Sequence, residues 1–295
     1  MRRFDLDTCE EIILTITRNK TRSLLTAFGV FWGIFMLVAL MGGTKGVQDL
    51  MAKQFVGFAT NSGFMGTNQT SKAYKGFQQG RFWELTNTDV ERVRRSVPEI
   101  EVVTPNITKW GIEMVYNENK TSGTLKGLYP IYSKIEEPQI SMGRYINYMD
   151  ILNRRKVCVL GSRIFESLFP DKSNPCGKYI EVSGIYYQVI GVNMAAGNMS
   201  VQGQAETSII IPFSTMQQNY NFGDKIQMLS FTVKKGYSVS EIQKKVESVI
   251  KRAHNVHPDD KQAVISVNAE AMFGMMDNLF SGIEVLGWMV GLGTL

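Results

Sequence analysis

Two histidines and three cysteines among 295 residues leave little material for a metal centre or a disulfide framework. His254 and His257 stand at i, i+3, but Pro258 breaks the helix that such a pair would need, and no third His or Cys ligand lies nearby. They read as a surface loop. No Gly-x4-Gly-Lys-Ser/Thr occurs, and Gly42-Gly43-Thr44-Lys45 lacks the spacing that lets backbone amides cradle phosphates. A Gly-x-Ser-x-Gly nucleophile elbow is missing too. The sequence therefore offers no catalytic residue, no cofactor-binding residue and no metal ligand, and it reads as a non-enzyme. Proline is scarce as well, at 8 residues, and with 27 glycines and 44% hydrophobic residues the composition excludes collagen and a disordered tail. Charge of one sign is not abundant: 32 Lys and Arg against 27 Asp and Glu give +5, spread thinly and without a basic block, so no nucleic-acid partner is expected.

What is present is one long apolar run. A mean hydropathy of −0.09 is too low for a chain mostly in lipid, so any membrane segment must be local. Ser23 to Thr44 carries no charged side chain, and the twenty residues Leu24 to Gly43 within it make a helix of about 30 Å, the thickness of the hydrocarbon core. The run is too long for a cleaved signal peptide and ends without a small-x-small site, so it reads as an uncleaved anchor. Arg18, Lys20 and Arg22 crowd its N-terminal side, whereas Lys45, Asp49 and Lys53 beyond it are sparser and mixed. The positive flank places the N-terminus in the cytoplasm and the bulk of the chain outside it. Val285 to Leu295 is a second uncharged run of eleven residues, too short to cross a bilayer. It reads as the start of a second span, begun near Ile283, in a longer permease.

Helical periodicity marks the flanks of both runs. Thr8-Cys9-Glu10-Glu11 has the form of a capping box, and Cys9, Ile12, Ile13 and Ile16 follow as one apolar stripe. An amphipathic helix over 1–22 should lie on the inner membrane face, with Glu11, Arg18, Lys20 and Arg22 turned to the lipid surface or to a cytoplasmic partner. Past the span, Leu50, Met51 and Phe55 share a face, and before the second run so do Met272, Met276 and Leu279. Two helices continuing the spans outward would bury those faces on each other as an antiparallel stalk.

The region between has the alternation of an α/β domain. Leu229 to Val233 and Ala263 to Asn268 read as strands around a helix from Ser238 to Ala253, capped by Ser238 or Ser240. Thr86 to Val97, capped at Asn87 or Thr88 and closed by Pro98, is a second such helix, followed by a strand from Glu101 to Thr104. Short alternating runs at Lys156 to Leu160, Tyr179 to Ser183, Tyr186 to Val192 and Thr207 to Ile211 form a mainly β insert. The fold class is thus α+β: a membrane-anchored helix and stalk helices carrying a βαβ-type α/β domain with an inserted mainly β subdomain. The segments are 1–22 amphipathic helix, 23–44 transmembrane helix, 45–125 stalk and first α/β half, and 126–222 insert. There follow 223–270 second α/β half, 271–282 stalk, and 283–295 start of a second transmembrane helix.

The motifs, taken in order, match a family. Asn19-Lys20-x-Arg22-Ser23-x-Leu25-Thr26-x-Phe28-Gly29-Val30-x-Trp32-Gly33-Ile34-Phe35-Met36, after Phe4-Asp5-Leu6-Asp7 and Glu11-Ile12, resembles the start of macrolide-exporter-type (MacB-type) ABC permeases of the Bacteroidetes kind. Leu85-Thr86-x-x-Asp89 with Pro98, Gly127-x-x-Pro130-x-Tyr132, Gly143-Arg144-Tyr145, Val157-x-Val159-Leu160-Gly161 and Leu168-Phe169-Pro170 resemble that family's extracytoplasmic core. So do Pro175-x-Gly177-Lys178, Val189-Ile190-Gly191-Val192 and Ile211-Pro212. Cys176 stands where the family has an apolar residue, so it and Cys158, which falls in a strand, read as small core residues more readily than as a disulfide. The resemblance implies a bacterial inner-membrane permease with its large domain periplasmic. The family's parent transporter carries its ATPase fused ahead of this helix, and with no phosphate loop in this sequence a separate ABC ATPase chain is expected; the resemblance also implies a second permease subunit in a homo- or heterodimer and a periplasmic adaptor with an outer-membrane channel. Hydrolysis would move the periplasmic domain and expel substrate. Family members that instead regulate cell-wall hydrolases, or release lipoproteins, share the same helices and stalk.

Overall fold

The computed structural model describes residues 19–194 and 200–294. Glu11, Arg18 and nearly all of the expected amphipathic helix lie outside the described residues. After α1 (Lys20–Gln54) come β1 (Ser62–Thr67), β2 (Leu85–Thr86), α2 (Asn87–Ser96), β3 (Ile100–Tyr116) and β4 (Asn119–Leu128). A 3-10 turn (Pro130–Lys134) leads to β5 (Ile140–Gly143), α3 (Tyr148–Leu152), β6 (Val157–Gly161), α4 (Ser162–Leu168), β7 (Tyr179–Val182) and β8 (Ile185–Asn193). Then follow β9 (Ser208–Pro212), α5 (Phe213–Asn219), β10 (Lys225–Ile226), β11 (Met228–Val233), α6 (Val239–Ala253), β12 (Val264–Asn268) and α7 (Ala269–Thr294). These elements form two compact units, Lys53–Gly274 and the pair Met1–Ala52 with Met275–Leu295.

In the larger unit, one sheet runs in the order β12-β1-β11-β3 with every neighbour antiparallel. β1 and β3 are therefore parallel to each other, as are β11 and β12, and each pair is joined across one intervening strand by a helix, α2 or α6. This is the split βαβ arrangement. The expected βαβ unit around α6 is there, but β1 lies between its strands. The sequence Ser62-Gly-Phe-Met-Gly-Thr67 gives no alternation because both faces of β1 are covered, with Phe64 and Met65 each fully buried in different clusters. Gly63 is required there: a Cβ on it would come within 2.4 Å of the Phe231 ring. On one face Val90 and Val93 of α2 meet Val239, Ile242, Val246 and Ile250 of α6, all buried. Each such side chain contributes about 1.5–3 kcal/mol of burial.

Helix α2 starts one residue earlier than expected, with Thr86 as its N-cap: the Thr86 amide donates to Asp89 Oδ2 at 2.9 Å. Ser238 caps α6, but the α6 amide Val239 N–H donates to the Glu270 carboxylate at 2.7 Å, and the Ser238 hydroxyl donates there too. The surface-loop reading of the histidines fails for His254. Its Nε2 lies 2.8 Å from the buried Asp89 carboxylate and its ring packs on Trp83. A partner 165 residues away leaves no local signal.

The insert is a small barrel. Strand β3 is 17 residues long, and its pairing changes from β11 over Ile100–Asn106 to β4 over Ile107–Tyr116. From there hydrogen bonding passes through β4, β9, β6, β8 and β7 and returns to β3 at Met114 and Val115. Closure leaves no free edge between those six strands. The insert thus begins inside β3, ahead of residue 126, because a strand shared by two lobes has no composition break at the boundary. Met114, Leu125, Cys158, Leu160, Ile180, Tyr187, Val189 and Ile209 are fully buried in the main core. Cys158 and Cys176 are free thiols; Cys158 is buried and Cys176 is half-buried.

In the smaller unit, α1 runs as one uninterrupted helix, the only one among the described residues long and apolar enough to cross a membrane. Among its residues only Gly33 is buried, while Leu24, Leu25, Phe28, Phe31 and Val38 are widely exposed. A core helix of a soluble protein would bury such side chains; lipid is the solvent that suits them. Helix α7 lies alongside α1. A Cβ on Gly287 would stand 3.0 Å from Leu40 Cδ2, and a cleft of about 400 Å³ between the helices is lined by Leu40, Thr44 and Gln48 on one side and Phe280, Ile283 and Glu284 on the other. Leu40 opposite Gly287 and Gln48 opposite Phe280 mark the two helices as antiparallel.

Candidate functional site at the stalk root

Helix α1 ends at Gln54, and its continuation is fixed at once within the larger unit. Gly57 adopts φ +79, the left-handed conformation that commonly closes a helix. Phe58 then turns into the core with its ring 5.9 Å from that of Phe64. Segment 57–59 pairs as a short antiparallel bridge with segment 135–137: Ala59 N–H donates to the Ile135 carbonyl at 2.8 Å, and Glu137 N–H to the Gly57 carbonyl at 2.7 Å. Phe55 lies half-buried with its ring centroid 4.4 Å from that of Phe273, in the first turns of α7. Phe58, Phe64, Leu128, Tyr132, Ile135, Ile146 and Ala269 make one buried cluster, with Phe273 packed on its edge.

Directly under the bridge sits a buried polar network. Lys126, 4% exposed at its side chain, donates from Nζ to Ser200 Oγ at 2.7 Å and to the Gly203 carbonyl at 2.8 Å. Its charge faces Glu136, whose Oε2 is 3.9 Å away and whose Oε1 accepts from the Tyr132 hydroxyl at 2.8 Å. Ser200 Oγ donates in turn to the Glu136 carboxylate. Burial pulls the Lys126 ammonium below the ordinary lysine value, with Glu136 pulling the other way. Burial, reinforced by Glu136, pushes the Tyr132 phenol well above its ordinary value. A cavity of about 40 Å³ opens among Lys126, Tyr132, Glu136, Tyr145 and Asn193, room for about one water. The arrangement holds no nucleophile beside a base. The 3-10 turn, β4 and the loop after residue 199 are tied through the Glu136 carboxylate, and the exit of α1 is joined to the same residue through the backbone bridge at Phe58.

The residues singled out in the sequence fall unevenly on this site. Lys20 and Arg22 lie in the first turns of α1, both exposed. Met51 and Met276 are half-buried, whereas Leu50 at 63%, Leu279 at 62% and Met272 at 39% exposure stand out from the single chain. Helix α7 turns Phe273, Met276 and Phe280 inward. Phe55 was legible as a contact; Phe273, Lys126 and Glu136 were not. Three Met and one Phe from Met272 to Met276 offer several equally apolar faces, and a lysine inside a strand reads as solvated.

A membrane-crossing helix and a two-lobed α+β domain, one lobe a split βαβ and the other a barrel, define the class of this chain. Residues 23–249 match the MacB-like periplasmic core domain, and the chain belongs to that family. It is 24% identical over 288 residues to the macrolide export ATP-binding/permease protein MacB of Mannheimia succiniciproducens, covering 95% of this chain and 43% of that protein. The chain thus spans less than half the length of the curated relatives it matches. Among solved structures, the periplasmic region of MacB from Actinobacillus actinomycetemcomitans is similar with a TM-score of 0.59 at 18% identity, over 77% of this chain and 97% of that one. The extracellular domain of the ABC-type transporter YknZ from Gram-positive bacteria follows at 0.56 and 18%, over 70% and 100%. At such identities these two likenesses establish the fold.

Proposed function

We propose that the chain is a permease subunit of an ABC-type efflux system, in which ATP hydrolysis by a separate cytoplasmic ATPase is transmitted through α1 and α7 to a periplasmic domain that expels substrate. The observation that carries this reading is the length of α1. Its 35 residues make a rod of about 52 Å, some 20 Å more than a bilayer core requires. An anchor alone needs no such extension. The positive flank supports a cytoplasmic N-terminus, the relatives named for macrolide export and ATP binding support an ATP-driven efflux role, and a dimer working with an adaptor and an outer-membrane channel completes the proposal. Lys20 and Arg22, with Glu11 and Arg18 before them, would form the ATPase-facing end. Leu50, Met51, Phe55, Met272, Met276 and Leu279 would form the stalk, with the exposed Leu50 and Leu279 free to meet a second subunit.

Substituting Met276→Pro, inside α7, or Phe55→Pro, at the exit one residue past the end of α1, in the full-length protein tests it, because the first bends a helix at about 3 kcal/mol and the second disturbs the join between α1 and the larger unit. Membrane insertion and ATPase pairing should persist while hydrolysis is uncoupled from export, with macrolides as the first compounds to screen. Wild-type export and hydrolysis in both variants would overturn transmission through the stalk. ATP hydrolysis that pairs with activation of a cell-wall hydrolase or release of a lipoprotein, with no export, would move the function to the corresponding branch of the family.

A further inference from the structure

Far along α6 from its capped start, Lys244, Glu247, Ser248 and Lys251 share one face at i, i+3, i+4 and i+7. They line a cleft of about 370 Å³ whose other walls are Tyr74, Lys75, Arg252, Val256 and Pro258. Lysines on a helix are usually solvated, and basic residues in a last turn usually answer the helix dipole. Lys251 does not fit that description. Its side chain is only 7% exposed, yet its ammonium reaches just the Pro258 carbonyl at 3.4 Å and Glu247 Oε2 at 3.5 Å. Both distances exceed the 2.7–3.2 Å of a good N–H···O bond. A buried ammonium with three protons and no close partner among the described residues is costly unless something in the cleft completes it.

The walls are fixed rather than collapsible. Asp260, fully buried, accepts from the Ser71 amide at 2.7 Å, the Lys72 amide at 3.0 Å and the Ser71 hydroxyl at 2.7 Å. That carboxylate locks the strand-to-helix loop carrying Tyr74 and Lys75 to the turn carrying Val256 and Pro258, and it is thereby used up. The His257 ring packs edge-on against Tyr74 at 5.2 Å, and Lys75 Nζ lies over the Tyr74 ring, 5.5 Å from its centroid. Four cations, Lys75, Lys244, Lys251 and Arg252, thus face one cleft against the single carboxylate of Glu247 in its lining. Orthophosphate alone would leave most of that volume empty, while Tyr74, Val256 and Pro258 offer apolar wall to an attached organic group.

We propose that this cleft binds a phosphate-bearing ligand, a diphosphate or a phosphate ester, with Lys251 as the buried anchor and Lys75 and Arg252 as the closing cations. The charge can come from a soluble phosphate ester or from a lipid headgroup. Titration calorimetry of the full chain in neutral detergent, at about 0.15 M salt to suppress non-specific attraction, tests it with sodium pyrophosphate and with dioctanoyl phosphatidic acid. One site per chain with Kd below about 1 mM is expected for at least one probe. The affinity should fall roughly tenfold or more in Lys75→Ala/Arg252→Ala, whose exposed side chains leave the melting temperature unchanged, and in Lys251→Met. Tighter binding of the lipid assigns a headgroup; tighter binding of pyrophosphate assigns a soluble ester. No saturable heat with either probe, or an unchanged affinity in the double variant, would overturn the proposal, even if Lys251→Met fails to fold.

Discussion

His254 Nε2 lies 2.8 Å from Oδ2 of Asp89, a carboxylate with no solvent exposure at the first turn of a helix 165 residues away. Burial alone would push the Asp89 carboxyl up, but the His254 bond, the Thr86 amide and the His254 charge together hold it below its ordinary 3.8. Because the native value is depressed, the stability this carboxylate adds is complete above about pH 4 and is lost as pH falls through the native value. His254→Ala should therefore cost about 1.5–3 kcal/mol at neutral pH. It should also raise the pH at which acid unfolding begins. Urea unfolding of the larger unit, followed between pH 3 and 7 in the full chain, measures both; an unshifted acid limb would show that the pair carries no weight.

Gly63 makes a second prediction. Its missing Cβ leaves room for the Phe231 ring, which a methyl would meet at 2.4 Å in the middle of a four-stranded sheet. Gly63→Ala should destabilise by about 2 kcal/mol through overpacking. Adding Phe231→Leu should recover part of that loss, although Phe231→Leu alone destabilises. Strictly additive costs would mean that the clash is relieved elsewhere.

These two pairs show where the sequence was silent. Helices α2 and α6, and strands β6 to β9, β11 and β12, announce themselves because their periodicity and caps are local. β1 hides because both its faces are buried, and two glycines in six residues dilute its strand signal. The barrel closes through only two residue pairs between β7 and β3, a non-local contact with no pattern of its own. At the stalk root, Phe55 could be picked from spacing, but the ring it meets could not, because Phe273 stands between methionines equally suited to the role. Lys126 and Glu136 are ten positions apart on different elements, and nothing in either neighbourhood marks them as partners.

Lys126 and Glu136 allow a sharper test of that root. Removing the lysine leaves the Glu136 carboxylate buried against Tyr132 and Ser200 with no compensating charge. Lys126→Met should destabilise by about 3–5 kcal/mol, the usual cost of breaking a buried pair from one side. Glu136→Gln added to Lys126→Met should be more stable than Lys126→Met alone, since the orphaned charge is then gone. A double-mutant cycle by denaturant unfolding decides it, and additivity would dissolve the network into separate contacts.

Orientation is testable by thiol chemistry. Gly80 lies in a turn and Lys120 near the start of β4, both exposed on the larger unit, while native Cys158 is buried and Cys176 half-buried. In a Cys176→Ser background, cysteine placed at Gly80 or Lys120 should react with a membrane-impermeant maleimide in cells with a permeabilised outer membrane. Cys158 should stay unlabelled until the protein unfolds, because burial raises its thiol well above the ordinary value and hides it from the reagent. Labelling of residue 80 or 120 only after lysis would reverse the membrane orientation.

The last prediction concerns the contact where the helices enter the domain. Phe55 and Phe273 meet with rings 4.4 Å apart and tilted by 58°, a geometry in which an aromatic pair adds about 0.5–1.5 kcal/mol beyond its buried area. Phe58, one turn on, is 7% exposed and packs into the core. Its truncation to Ala should cost about 3–5 kcal/mol and disturb the whole unit. Phe55→Ala and Phe273→Ala reach only the rim, so each should cost about 1–2 kcal/mol, and the double variant should lose less than their sum by the pair's coupling. If the helices act as a transmission element, the two rim variants should fold and pair with an ATPase, yet lower transport per ATP hydrolysed. Phe58→Ala should lower transport only in proportion to the folded protein that remains. Equal transport per ATP in wild type and both rim variants, with coupling confirmed in the unfolding cycle, would leave the contact structural and remove it from the transmission path.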